Sequence, residues 1–141
     1  MKPVPGNDLT RRVIGCAIEV HRHLGPGLVE SIYETALCDE LAEAGLSFAR
    51  QRRLPAHYKN RVLDGHYQLD VIVEETLVLE IKAVQQVHPI RLAQLMTYLR
   101  LSATPLGLLM NFNAVLMKDG VTRVLNPNGP WQGERSPSLV L

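Results

Sequence analysis

Two carboxylates and a lysine interrupt apolar stretches of the chain that have the alternation of β-strands. Asp70 lies in the stretch 67–73, and Glu80 and Lys82 lie in the stretch 77–84. Because side chains alternate between the two faces of a strand, Glu80 and Lys82 share one face. Carboxylates are costly to desolvate in an apolar sheet, and a divalent cation held between them removes that cost. Oxygen ligands of this kind favour Mg²⁺ or Mn²⁺, beside which Lys82 is suited to orient a water molecule or to stabilise charge developing on a phosphate.

The loop between these two stretches decides whether the acids face each other. A three-residue loop at 74–76 places Asp70 directly opposite Glu80, whereas a two-residue loop sends the two side chains to opposite faces of the sheet. Directly opposed carboxylates repel each other, so the first arrangement needs a compensating cation. The alternative interpretation is a half-solvated strand face on which Asp70, Glu80 and Lys82 form ordinary salt bridges.

Two further groups of polar residues lie in stretches with helical periodicity. Glu30 lies near the start of a predicted helix, where an acid is also favourable simply because of the helix dipole. Gln94 and Tyr98 are four residues apart on a later predicted helix and therefore share a face. Taken alone, this pair is equally well explained as a surface amide and a core aromatic.

The elements that must position these residues follow from the apolar periodicity and its breaks. They are a helix from Asn7 or Asp8 to about Leu24, a helix over about 28–44, strands over 48–54, 56–63, 67–73 and 77–84, a helix from Pro89 to about Ser102, and strands over 105–112 and 121–125. Asp64-Gly65 is predicted to be the turn between the second and third strands. This order, α-α-β-β-β-β-α-β-β, predicts an α/β fold with a mixed β-sheet flanked by helices.

Length and composition predict a single domain. With 141 residues, 46% of them apolar and 21% charged, the chain can bury an ordinary core, and bulk disorder is excluded. We assign residues 1–126 to this domain and 127–141, rich in Pro, Gly and Ser, to an irregular tail. No apolar run approaches the roughly 20 residues that span a bilayer, so no membrane association is expected. Without an apolar signal segment, the sequence predicts a cytoplasmic protein in which Cys16 and Cys38 are reduced and buried.

The net charge of +1 gives no overall signature of a nucleic-acid-binding protein. Positive charge is nevertheless concentrated in the stretch 50–61, which contains no acid and carries Arg50, Arg52, Arg53, Lys59 and Arg61. This stretch is a candidate contact for a phosphate backbone. It is equally well explained as an edge strand whose charges prevent pairing with another sheet.

The string from Leu24 to Glu34, which reads LGPGLVESIYE, closely resembles the signature of the GxxExxY family within the PD-(D/E)XK nuclease superfamily. The resemblance extends over about 13–112. It includes Asp70, the Glu80-Ile81-Lys82 triplet and a Gln-x-x-x-Tyr motif, Gln94 to Tyr98, like that of the RecB-like branch. Leu69 occupies the position of the proline that names the superfamily motif.

The resemblance implies a restriction-endonuclease-like core and a role for each matching residue. Glu30, Asp70 and Glu80 would hold Mg²⁺ or Mn²⁺, and Lys82 would be catalytic together with Asp70 and Glu80. Gln94 would help to place the lysine or the substrate. Tyr98 would be the helical partner of Gln94, and the implied substrate is nucleic acid, in particular DNA. The basic stretch read from the sequence itself, with Arg50, Arg52 and Arg53, would then contact the DNA backbone, and Tyr98 would contact the substrate.

Two functions remain open at this level. The first is a divalent-metal-dependent nuclease that hydrolyses phosphodiester bonds of DNA. The second is a catalytically silent module of the same fold that binds nucleic acid or a protein partner, a hypothesis prompted by the small size and near-neutral charge. A homodimer would give so small a domain more grip on a duplex, although no residue indicates one.

Overall fold

In the computed structural model of the chain, residues 7–128 and 139–140 are described. The elements are α1 (Asn7–Leu24), α2 (Glu30–Glu43), β1 (Phe48–Tyr58), β2 (Arg61–Val73), β3 (Leu77–Lys82), α3 (Pro89–Ser102), β4 (Leu106–Asn111), a single 3₁₀ turn (Met117–Gly120), β5 (Val121–Leu125) and β6 (Leu139–Val140). The sheet order follows the chain from β1 to β6, and only the β3–β4 pair is parallel in the described residues. The predicted α/β class with a mixed sheet is therefore confirmed.

Helices cover both faces of this sheet. On one face, α1 and α2 pack on side chains of β2, β3 and β4 such as Val71, Leu79 and Leu108. On the other face, Leu95 and Leu99 of α3 pack on a second set that includes Ile72 and Val78. The parallel β3–β4 pair requires a crossover, and α3 provides it. The three layers fix the strands between two apolar cores.

The sequence prediction was wrong about the number of strands before α3, which is three rather than four. The two long strands β1 and β2 form one hairpin, and the chain reverses near Lys59, whose φ is 55°. The predicted turn at Asp64-Gly65 lies inside β2. Gly65, with a φ of 103°, instead lies where the pairing shifts register between Pro55 and His57. Asp64-Gly65 thus forms part of a β-bulge rather than a turn, because Gly tolerates the positive φ that a bulge needs.

The predicted three-residue loop at 74–76 is confirmed. The pairs Val71↔Leu79 and Val73↔Leu77 set a register in which Asp70 falls opposite Glu80. The start of α1 and the bounds of α3 and β5 also agree with the sequence prediction, and His88 caps α3 by accepting a hydrogen bond from the backbone of Ile90 at 3.1 Å.

The predicted irregular tail falls largely outside the described residues. The described part of it includes β6, which pairs with β5, so the tail is not irregular throughout. The domain boundary at residue 126 stays a prediction. Cys16 and Cys38 are free and buried, as expected. Within the part of the chain that the structure describes, no helix has the length and apolarity needed to cross a bilayer.

Candidate active site

Asp70 lies at an interruption in the pairing of β2 with both of its neighbours. The β1–β2 pairing omits Gln51, whose φ is 50°, and Asp70, and the β2–β3 pairing ends one residue away at Val71↔Leu79. The regular alternation of side chains is also broken there. Leu69 and Val71 are two residues apart, yet Leu69 packs on the α3 side of the sheet and Val71 on the side of α1 and α2. The strands therefore separate at Asp70, and its backbone and side chain are available for other contacts.

The two acids bind the backbone of each other's strand. Asp70 Oδ2 accepts a hydrogen bond of 2.9 Å from the N–H of Ile81, and the N–H of Asp70 interacts with the Glu80 carboxyl group. Glu80 is only 5% exposed, and its Oε1 has no hydrogen-bond partner among the described residues. Lys82 follows on the same face of β3 and is half-buried. This arrangement holds two carboxyl groups together and leaves one buried oxygen uncompensated.

Burial and mutual repulsion shape the protonation of both acids. Burial, and to a smaller extent the charge of Asp70, raise the pKa of Glu80 to about 8 against the opposing effect of the Lys82 ammonium. Burial also raises the pKa of Asp70, whereas the N–H of Ile81 and the ammonium of Lys82 lower it. One ammonium, that of Lys82, therefore cannot balance two carboxylate charges. A second positive charge placed between the carboxylates would relieve the repulsion.

Glu30 is brought towards the same site by the loop between α1 and α2. Gly27 takes a φ of 100° in this loop, which favours glycine. The hydroxyl of fully buried Tyr33 donates to the backbone oxygen of Gly25 at 2.5 Å and accepts from the N–H of Leu28 at 3.1 Å. These bonds fix the loop so that exposed Glu30 begins α2. Its negative charge is close enough to raise the pKa of both strand acids.

The two α3 residues lie on the side of the sheet towards which Glu80 and Lys82 point. Tyr98 is half-buried, and its ring centroid lies 5.2 Å from that of Tyr67. Burial raises the pKa of Tyr98, and the charges of Glu80 and Asp70 raise it further, so this residue lies near the acids. Gln94 is half-buried one turn earlier on the same helix face.

The structure does not gather the three predicted substrate-binding arginines on one face. Arg50 forms a salt bridge of 2.9 Å with Glu34 of α2, on the α1–α2 side of the sheet. Arg52 lines a cavity beside α3, and both of its terminal nitrogens contact the carboxylate of Glu75, at 2.6 and 2.7 Å. Arg53 donates to the ring of His66. Their contact with substrate stays a prediction.

The chemistry of the site fits a hard divalent cation. Asp70 and Glu80 offer oxygen ligands only, and the Glu80 oxygen without a partner is an acceptor that a cation would satisfy. Among the described residues, no three His, Cys, Asp or Glu side chains stand close enough to hold a metal ion between them. Two protein carboxylates, completed by water and substrate phosphate oxygens, match the usual Mg²⁺ site.

The sequence prediction missed two residues that support this site. Glu34, one turn after Glu30, is buried, and its negative charge raises the pKa of Asp70. Asn111, at the end of β4, is also buried and binds both the N–H and the backbone oxygen of Val84, which fixes the chain just after Lys82. Glu34 could have been found from its spacing, because it lies four residues after Glu30 on the same helix. Nothing in the sequence indicated Asn111.

Comparison with known proteins places this geometry in a family. The model that describes the PD-(D/E)XK nuclease superfamily matches residues 7–124, a span that contains the three helices and all the site residues named above. No curated protein and no solved structure gives a significant match. With the mixed sheet, the paired acids at the strand interruption and the neighbouring lysine, the match shows that this chain belongs to the PD-(D/E)XK nuclease superfamily.

Proposed function

We propose that the protein is a divalent-metal-dependent nuclease that hydrolyses phosphodiester bonds of DNA. The observation that supports this most strongly is the buried Glu80, which lies against Asp70 with one carboxyl oxygen lacking a partner in the described residues. Such an arrangement costs stability, because buried charged groups are often replaced by apolar side chains without loss of stability. The superfamily membership supplies the reaction class.

In this proposal Asp70 and Glu80 are the direct ligands of Mg²⁺ or Mn²⁺, and the negative charge of Glu30 at the start of α2 adds to the attraction for the cation. When bound, the cation supplies Lewis-acid polarisation of the phosphate and lowers the pKa of a water molecule. Lys82 presents its ammonium on the same strand face as Glu80, where it donates to the attacking water or to a phosphoryl oxygen. Its half-buried position strengthens that interaction, since water screens it less.

The remaining predicted residues act on the substrate in this proposal. Gln94 orients Lys82 or a phosphate from α3, and Tyr98 contacts the nucleotide beside the acids. Arg50, Arg52 and Arg53 approach the DNA backbone from the long β1–β2 hairpin.

We also propose that the chain is a GxxExxY-type member of the superfamily. The local structure of the motif supports this assignment. Gly27 supplies the positive φ of the loop, Glu30 begins α2, and Tyr33 ties the loop down through two hydrogen bonds and a ring contact of 4.7 Å with Phe112. Each motif residue thus has a part in the local structure around Glu30 at the start of α2.

The test compares Lys82→Ala with Lys118→Ala, which removes an exposed lysine from the 3₁₀ turn. Cleavage of single-stranded, duplex and branched DNA is measured with Mg²⁺, with Mn²⁺ and with EDTA. We expect metal-dependent cleavage by the wild type and by Lys118→Ala, and a loss of about 100-fold or more in Lys82→Ala. Equal cleavage by Lys82→Ala and the wild type would refute the catalytic role. DNA binding without cleavage under any condition would instead indicate the catalytically silent module.

Calorimetry with Mn²⁺ separates metal binding from turnover. We expect the wild type to bind Mn²⁺ and the double variant Asp70→Asn, Glu80→Gln to lose that binding, because both proposed ligands become neutral amides. Equal binding by the wild type and the double variant would place the metal elsewhere.

A further inference from the structure

A cavity of about 350 Å³ lies on the α3 side of the sheet, and neither Asp70 nor Glu80 lines it. Its walls come from the β1–β2 hairpin and from the chain at the end of α3, and they include Leu54, Tyr67, Leu69 and Leu101. None of these residues belongs to the proposed metal site. The volume falls within the range of small-ligand pockets.

The walls combine apolar surface with polar groups, some of which have no hydrogen bond among the described residues. Leu54 and Leu69 supply apolar surface, and Tyr67 supplies an aromatic ring. His57, also in the wall, is exposed. Within residues 7–128 we find no hydrogen bond to its ring or to the Tyr67 hydroxyl. A planar heteroaromatic ligand with polar edges would stack on such a surface and bind these free groups, which is how single-stranded bases are recognised.

The cavity is connected to the candidate active site through two tyrosines. Tyr67 lines the cavity, and its ring lies 5.2 Å from that of Tyr98, centroid to centroid. Tyr98 in turn lies within the electrostatic influence of Glu80 and Asp70. A nucleotide whose phosphate reached the acids would therefore have its neighbouring base close to the cavity.

The α3 wall of the cavity is held in place by its own hydrogen bonds. The hydroxyl groups of Ser102 and Thr104 lie 2.8 Å apart, and Ser102 also donates to the backbone oxygen of Tyr98 at 2.7 Å. Asn126 donates to the backbone oxygens of Leu99 and Thr104 at 3.0 and 2.9 Å. These bonds hold the wall in one conformation, and such preorganisation lowers the entropic cost of binding a ligand.

We propose that this cavity binds an unpaired nucleobase of a DNA strand whose neighbouring phosphate lies at the acids. This proposal rests on the proposed nuclease function and names its substrate form. A base inside a duplex is stacked and paired and must leave the helix to enter such a pocket. The favoured substrate is therefore a single strand or the unpaired part of a junction, and a continuous duplex is disfavoured.

The test measures binding of a fluorescent oligothymidine by anisotropy in EDTA, where no cleavage occurs. The same strand with abasic sites in place of every base is the comparison ligand. Leu101→Glu places a charge at the cavity wall, and Leu116→Glu is its matched control, because these leucines are 47% and 54% exposed and Leu116 lies outside the cavity. Tyr67→Leu removes the ring without adding charge, and its thermal melting curve checks that it folds.

We expect Leu101→Glu and Tyr67→Leu to weaken oligothymidine binding by about 10-fold, the usual worth of one stacked base. Leu116→Glu should bind like the wild type, and the abasic strand should bind weakly and equally to all four proteins. Equal affinity of the wild type for the two strands would overturn the proposal. So would an equal loss for both strands in Leu101→Glu, which would indicate simple charge repulsion.

A failure of this proposal can be distinguished from a failure of the nuclease proposal. Cleavage of the same oligothymidine with Mn²⁺ is measured separately. Cleavage without base-dependent binding would refute only the proposal that the cavity binds a base. A protein that binds bases without cleaving refutes only the nuclease.

Discussion

Two glutamates are almost equally buried in this protein, yet their surroundings differ. Glu34 of α2 is 7% exposed and Glu80 of β3 is 5% exposed. The Glu34 carboxylate accepts hydrogen bonds from Nε of Arg50 at 3.0 Å and from Nε2 of Gln51 at 2.7 Å. The Glu80 carboxyl group lies against a second acid, Asp70, and its Oε1 has no partner within the described residues.

The difference separates a buried acid whose charge is compensated from one whose charge is not. Burying a charge is tolerable when hydrogen bonds and an opposite charge replace the lost water, and Glu34 has both. Glu80 has neither in full, and burial raises its pKa to about 8. An acid kept in such a position, beside a like charge and a lysine, is typical of functional sites.

The largest expected effect is on cleavage. If the proposed function holds, we expect Glu80→Gln to reduce the rate of DNA cleavage by about 100-fold or more, because the amide lacks the charge that would hold the proposed cation. Glu34→Gln should keep the rate within a few-fold of the wild type at temperatures where it is folded. Rates are measured on single-stranded DNA with Mn²⁺. The comparison would fail if both variants lost activity equally while remaining folded.

The next effect is on the pH dependence of stability. The ordinary pKa of Glu80 is 4.5, and burial in the folded protein raises it to about 8. Between these values the folded state keeps a proton that the unfolded chain has released, so raising the pH favours unfolding. The stabilising contribution of the protonated group is full below about pH 4.5 and is lost as the pH rises through 8. By linkage this amounts to a few kcal/mol.

Urea unfolding in EDTA, from about pH 5 to about pH 8, measures this slope. The burial of Asp70 acts with the same sign, since it also raises a carboxyl pKa. Glu80→Gln should flatten the dependence and make the protein more stable than the wild type at the alkaline end. An equally steep slope in this variant would show that Glu80 is already charged throughout that range.

The sequence predicted the register that places Asp70 opposite Glu80, but it did not predict the hairpin that carries Asp70. The register of β2 and β3 followed from the length of the loop at 74–76, a local property. The spacing of Glu30 and Tyr33 was also local. The reversal at Lys59 was not predictable in this way, because Asp64-Gly65 is the stronger turn signal in isolation. The pairing of distant strand residues decided between them.

The partners of the arginines were hidden from the sequence for the same reason. Arg50 and Arg52 look alike in a run of basic residues, but their acidic partners, Glu34 and Glu75, lie 16 and 23 residues away on different elements. The alternation of side chains is broken at Gln51, so the two arginines lie on opposite sides of the sheet. No residue type in the sequence predicts this break. Long-range packing produces it.

The smallest expected effect is the loss of stability when the charge of Glu34 is removed. Glu34→Gln should lower the free energy of unfolding by about 1–2 kcal/mol, since Arg50 loses its counter-charge but is exposed enough to be partly rehydrated. Glu75→Gln is the matched control, because Glu75 also pairs with an arginine but is exposed to water. Its midpoint of unfolding should stay that of the wild type. If Glu34→Gln were as stable as Glu75→Gln, the ion pair between Glu34 and Arg50 would contribute nothing to the free energy of unfolding. The partners of Glu34 would then not explain how it differs from Glu80.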